Sequence, residues 1–188
     1  MKKVALVVGH RSKAQGAWGS AGLSEWEYNR QMAKYVNRLI MDHPIPGVEV
    51  KIFYRDDLPG GYGEKMKRLH KRIDEWGADY SISMHFNAAG KEEVNGHEVL
   101  YCSKRGKRVA KMMDEILAKF LENKERGIKR VRRKDRGGGF LCQGRSVCIL
   151  VEPFFAAHQH KYIISQEGWN HLANAYYELI NWLGNTDV

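Results

Sequence analysis

Four side chains able to ligate a metal or carry a proton sit where regular segments begin or end: His10 after KKVALVVG, Glu25 at a helix start, His85 after YSISM, and Glu152 after VCILV. Two imidazoles and one carboxylate can hold a catalytic zinc ion with a fourth position open, which leaves the second carboxylate for acid/base work. Singly, each residue is a weak signal, because a lone histidine after a strand is more often a hydrogen-bonded structural residue than a ligand. The apolar strand that ends in an acid, CILVEP, is harder to dismiss. A carboxylate there needs a charged partner, a proton or a metal to offset its burial.

The elements that must position these residues are legible as periodicity. Continuous or alternating apolar runs predict strands over 4–8, 48–53, 80–84, 97–101 and 147–151. Apolar residues three and four apart predict helices over about 24–42, 63–76, 104–123 and 168–183. Alternating strands and helices imply an α/β fold: one domain spanning 1–188, with a twisted, mostly parallel or mixed sheet of about five to six strands and helices on both faces. Gly127 and the triplet 137–139 read as loop signals, and no repeat or linker divides the chain. No second binding module is expected.

This topology gives the four residues a common address. Ligands of open α/β sheets bind beyond the carboxyl ends of the strands, and His10, His85 and Glu152 each follow a strand directly. Glu25 needs its own argument. Ser24 and Glu27 have the spacing of a capping box, which accounts for Glu27 structurally and leaves Glu25 as the first helical residue. It then shares a stripe with Asn29, Met32 and Val36, which faces the sheet.

A chain of 188 residues with 43% hydrophobic and 28% charged residues is an ordinary globular composition. No apolar run approaches the ~18 residues of a membrane span. The basic and apolar start, MKKVALVVGH, reads as a first strand and not as a secretory signal, so the chain is expected to be made in the cytoplasm, and a substrate lying outside would require some other device to deliver it. Cys102, Cys142 and Cys148 form no CxxC pair, and reduced thiols fit best. A cysteine nucleophile is a weaker reading, and Cys148, inside an apolar strand, reads as a small core residue.

The formal charge of +9 is concentrated. Residues 104–136 hold fourteen Lys and Arg against five Asp and Glu, and the remainder of the chain is neutral. Such a block, with KRVRRKDR at 129–136, marks attraction to a polyanion; the bland alternative is a solvated helix face followed by a basic loop.

The residues carry a resemblance to the zinc-dependent N-acetylmuramoyl-L-alanine amidases, the catalytic domains of bacterial cell-wall amidases and phage endolysins. VALVVGH resembles the family's first strand and first zinc histidine, and GLSEWEYN its Gly-Leu-x-Glu-x-x-x-Asn helix start with the zinc glutamate. SMHFNA resembles its Ser-Ile-His-Ala-Asn-Ala segment with the second zinc histidine, and CILVEPFF its Leu-Val-Glu strand end with the catalytic glutamate. VKIFYRD resembles the Val-x-x-x-Arg ending of the second strand, with one residue more between Val50 and Arg55, and so brings Arg55 to the site. The chain departs from the pattern at Arg11 and Ser12, where a glycine usually follows the histidine. It departs again at 153–157, where Pro-Phe-Phe-Ala-Ala replaces Gly-Phe-x-x-Asn. Both changes fall on loops expected to line the substrate groove.

The resemblance implies one zinc ion held by His10, Glu25 and His85, with Glu152 as the catalytic acid/base, hydrolysing the amide between N-acetylmuramic acid and L-alanine in peptidoglycan. Arg55 is expected at the substrate through the resemblance, and Asn87, Gly138 and Gly139 by their place near the strand ends. His43, His70, His97, His158, His160 and His171 are assigned no metal role. With no wall-binding module visible, a monomeric phage or prophage endolysin is expected, held near the wall by acidic polymers or anionic lipid through 104–136, with no nucleic-acid role. Two rival classes remain: another zinc peptidase or carboxypeptidase acting on wall peptides, and a non-catalytic polyanion binder, which leaves the four ordered motifs unexplained.

Overall fold

Each predicted strand pairs into one sheet, and one strand was not legible. The computed structural model describes residues 1–19, 22–89, 94–156, 162 and 165–188. Its strands are β1 Lys2–Val8, β2 Val48–Phe53, β3 Tyr80–Met84, β4 His97–Tyr101, β5 Glu125–Arg130 and β6 Val147–Glu152, in the order β2-β1-β3-β6-β4-β5. The four strands from β2 to β6 run parallel, β4 is antiparallel to β6, and β5 is parallel to β4. The helices are α1 Glu25–Asp42, α2 Tyr62–Trp76, α3 Lys104–Phe120, the short α4 Gly138–Leu141 and α5 Gln166–Asn185.

The period-two alternation of strand side chains sorts the core into two layers. Val4, Leu6 and Val8 of β1, with Ile149 and Val151 of β6, pack under Met32 and Val36 of α1, Met113 and Leu117 of α3, and Tyr176 and Leu179 of α5. The alternate residues Ala5, Val7, Cys148 and Leu150 face Met66, Leu69 and Ile73 of α2 and Phe140 and Leu141 of α4. This second layer is thin, because α4 is one turn, and it leaves room for a cavity beside α2. Among the described residues, no helix is long and apolar enough to cross a membrane.

Two expectations are corrected here. The 125–130 segment, read as loop and basic run, is the edge strand β5. An edge strand tolerates charge, so ERGIKR carries no apolar run to announce it. Gly127 adopts φ 71° where the β4–β5 register shifts between His97 and Val99, as a glycine bulge does. Second, Cys102 and Cys142 form a disulfide across 40 residues of sequence, so the expectation of three reduced thiols fails. Cys102 lies just after β4 and Cys142 just after α4, and the packing of α4 against β6, the neighbour of β4 in the sheet, brings them together. Cys148 alone remains free, buried in the core as expected.

The disulfide anchors the segment between β5 and α4. Cys102→Ser is expected to cost about 2–4 kcal/mol, the usual contribution of a cross-link closing a loop of this size. In thermal denaturation that corresponds to a fall in Tm of roughly 5–15 °C, and reductant should shift the parent protein by the same amount and the variant not at all. Equal melting temperatures for parent and variant without reductant would show that the bridge contributes nothing.

Candidate metal and catalytic site

β1 and β3 are adjacent and parallel, so the residues that follow them come out side by side at one sheet edge. His10 leaves β1 with φ 61°, a left-handed conformation unusual for a side chain other than glycine, which turns its imidazole back over the sheet. His85 is fixed by its own amide, which donates to the Val151 carbonyl (3.1 Å), and Ser83 Oγ lies 3.1 Å from its Nε2. That contact leaves Nδ1 to face inward, as an orienting neighbour does for a metal-bound imidazole.

Glu25 arrives from α1. Ser24 caps the helix, its Oγ accepting from the Glu27 amide (3.2 Å), so Glu25 occupies the first helical position and its stripe faces inward with Asn29, Met32 and Val36, all buried. The Glu25 carboxylate lies 3.0 Å from His10 Nε2 and 2.7 Å from His85 Nδ1. It also accepts the amides of Ala17 (3.1 Å) and Phe86 (3.3 Å). Burial works to raise its pKa, but the bonds from His10 and His85 prevail and bring it down to about 2. Burial, against the pull of Glu25, lowers the pKa of His85.

The three side chains fit a divalent cation. One ligand atom from each of His10, Glu25 and His85 lies within 4.8 Å of the others, the one such group of three among the described residues. The backbone is shaped around them. A Cβ at Gly16 would stand 2.5 Å from Glu25 Oε2, and one at Gly9 would stand 2.6 Å from His85 Cε1, so both positions exclude any larger residue.

Glu152 ends β6, next to β3 in the sheet, and lines the same cavity of about 740 Å³ as His10 and His85. Its Oε2 is buried without a hydrogen-bond partner. Burial first, then the negative charge of Glu25, push its carboxyl well above the usual carboxylate range, against Arg136. A perturbed carboxyl in a cavity beside a group of metal-ligating side chains is a candidate for proton transfer.

The structure brings Arg55, Asn87 and Gly139 to the cavity wall. Arg55 Nε donates to the His10 carbonyl (3.2 Å) and its guanidinium lies 5.7 Å from the centre of the Tyr62 ring, so it holds the His10 turn. Gly138 is buried against the backbone of Arg132 and Arg133, where a side chain has no room. His97 is buried with Nδ1 2.6 Å from Asn123, His70 packs 5.1 Å from the Phe140 ring, and His171 lies on α5 beside Glu167. His43 caps the C-terminus of α1, and His158 and His160 lie outside the described residues.

One carboxylate was missed. Glu98 stands directly opposite Glu152 in the antiparallel β4–β6 pair and lines the cavity. Its Oε1 accepts from Asn87 Nδ2 (3.0 Å) and its Oε2 from Arg126 Nε (2.8 Å) and Lys129 Nζ. Burial works to raise its pKa, but Arg126 and Lys129 outweigh that and lower it. The signal for it was an acid on an inward position of the alternating strand HEVLY.

The family model for N-acetylmuramoyl-L-alanine amidase matches residues 4–181. No curated protein sequence matches the chain. Among solved structures, the catalytic domain of CwlV, an N-acetylmuramoyl-L-alanine amidase from Bacillus (Paenibacillus) polymyxa var. colistinus, superposes with a TM-score of 0.83 at 22% identity, over 100% of both chains. An N-acetylmuramoyl-L-alanine amidase from Clostridium difficile 630 gives 0.83 at 19% identity, over 100% of this chain and 98% of that one. The catalytic domain of an endolysin targeting Clostridia difficile gives 0.78 at 22% identity, over 100% and 99%. At these identities the likenesses speak for the fold, whereas the family match runs through the strands that end in His10, His85 and Glu152 and through the helix that opens with Glu25. The chain belongs to the N-acetylmuramoyl-L-alanine amidase family of peptidoglycan hydrolases.

Proposed function

We propose that this protein hydrolyses the amide between the lactyl group of N-acetylmuramic acid and L-alanine, using one zinc ion held by His10, Glu25 and His85 and the carboxyl of Glu152. The observation that carries this reading is the unpartnered, buried Glu152 carboxyl in one cavity with the His10–Glu25–His85 group. When bound, the ion supplies a Lewis acid that polarises the scissile carbonyl and makes water acidic near neutral pH.

The chain's own residues do the rest. Glu152 takes the proton of the attacking water and delivers it to the amide nitrogen as the C–N bond breaks and a C–O bond forms, so the products are the lactyl carboxylate and a stem peptide with a free L-alanine amine. Ser83 and the Ala17 and Phe86 amides keep His85 and Glu25 in place, and Arg55 holds the turn at His10. Asn87, tied to Glu98, and Gly139 line the path along which substrate approaches.

A phage or prophage endolysin role fits the likeness to an endolysin catalytic domain. The exposed basic residues of α3, among them Lys104, Arg105, Lys107 and Arg108, would hold such an enzyme near acidic wall polymers or anionic lipid. The test is digestion of purified peptidoglycan with and without a chelator, with mass spectrometry of the soluble products. Stem peptides starting at L-alanine should appear, vanish with chelator and return with added zinc. Cuts within the stem would replace the amidase reading with a peptidase on the same scaffold.

A further inference from the structure

The cavity that holds the cluster is walled by cations on both sides. Arg11, Arg55 and Lys65 come from the ends of β1 and β2 and from α2, and Arg133, Lys134 and Arg136 come from the segment between β5 and α4. The acids in its lining are Glu98, Asp135 and Glu152, and each is already answered. Glu98 is paired with Arg126 and Lys129, Asp135 accepts the Arg132 amide (2.6 Å), and Glu152 is a single carboxyl among six lining cations. The cavity is left with an excess of positive charge.

The two walls are not equivalent. On the α2 side, Arg55 donates to the His10 carbonyl and Lys65 to the Leu58 carbonyl. On the other side, Arg133, Lys134 and Arg136 are exposed, and Arg136 is near enough to Glu152 to act on its carboxyl. The backbone that follows that wall is tied down. Phe140 and Leu141 pack into the core, Gly137 lies against Leu150 and Leu100, and the Cys102–Cys142 disulfide ties the end of α4 to the end of β4. The backbone that carries these cations is thereby held beside the group proposed to move the proton.

The matching ligand is a peptide with several free carboxylates. A stem peptide carries one on its glutamyl residue and, where its third residue is diaminopimelate, another there; amidation removes them. Resting on the function proposed above, we infer that the Arg133–Arg136 wall recognises free carboxylates of the stem peptide, so that the enzyme selects unamidated, multiply acidic stems over amidated ones.

Two measurements on the zinc-loaded protein test this. The first compares kcat/KM for a muramoyl tripeptide with free glutamyl and diaminopimelyl carboxylates and for its diamide. The expected preference is about tenfold or more, carried mainly by KM and weakened in about 0.5 M salt, where the Debye length falls to a few ångströms. Arg133→Gln combined with Arg136→Gln should collapse the ratio to about twofold, with an unchanged melting temperature, since both side chains are exposed. The second measures binding of the free acidic tripeptide and its diamide to Glu152→Gln by calorimetry, where the same preference is expected. Equal binding of the two peptides overturns the inference, and so does a preference that survives the double substitution. Failure to cleave either muramoyl substrate, with the acid still bound about tenfold tighter than the diamide, overturns the amidase function and leaves the acidic-peptide site standing.

Discussion

Glu152→Ala is expected to lower kcat for release of stem peptides by about 10²–10⁴-fold, the range that a positioned general acid/base contributes, while the bound zinc stays at one ion per chain. The argument is topological. Glu152 is the last residue of β6 while His10 and His85 lie beyond β1 and β3, so its carboxylate borders the ligand group without belonging to it. Its loss removes the proton carrier and leaves the three ligands their own supports, Ser83 and the amides of Ala17 and Phe86. Stability should be unchanged or higher, because Glu152 Oε2 is buried without a partner and its removal relieves a desolvation cost. Metal analysis after dialysis, the melting temperature and product release by mass spectrometry together decide the matter. Full turnover by the variant would show that another group moves the proton, with Glu98 as the nearest substitute by register.

His85→Ala is expected to lose both metal and activity. Removing the group that merely orients a ligand costs roughly 10–100-fold in metal affinity, and removing the ligand itself should cost more. The ring also receives one side of the Glu25 carboxylate at 2.7 Å, so its loss frees Glu25 as well. The variant should emerge from dialysis without zinc and release no stem peptides, whereas His171→Ala, on the surface of α5, should match the parent in both. Stoichiometric zinc in His85→Ala would remove His85 from the ligand set and with it the present account of the site.

Most of this arrangement could be read before any coordinates, for reasons that differ by residue. β1 and β6 are buried on both faces and show as unbroken apolar runs, and β3 alternates apolar residues with two buried serines, so the residues at which those segments stop were easy to find. Glu25 was recoverable because a cap has a local signature, and Ser24 and Glu27 placed the helix start correctly. β5 left no such trace. As an edge strand it buries little and its charges are tolerated, so a rule that looks for apolar alternation passes over ERGIKR. Glu98 was hidden for a related reason. It is a charged residue on an inward strand position, and only Arg126 and Lys129, brought alongside by β5, make that position affordable.

By itself, then, the sequence determined the α/β class, the strand ends that carry His10, His85 and Glu152, and the helix start that carries Glu25. These follow from short-range patterns, the periods of 2 and 3.6 and the chemistry of one cap, which are written in consecutive residues. The tertiary structure alone decided the Cys102–Cys142 bridge, the pairing of Glu98 with its cations, and the division of the basic segment between an exposed helix face and a wall of the cavity. Each of these joins residues far apart in the chain through the order of strands in the sheet. Strand order is set by which faces can be buried together, a property of the whole packed core that no single stretch of sequence contains.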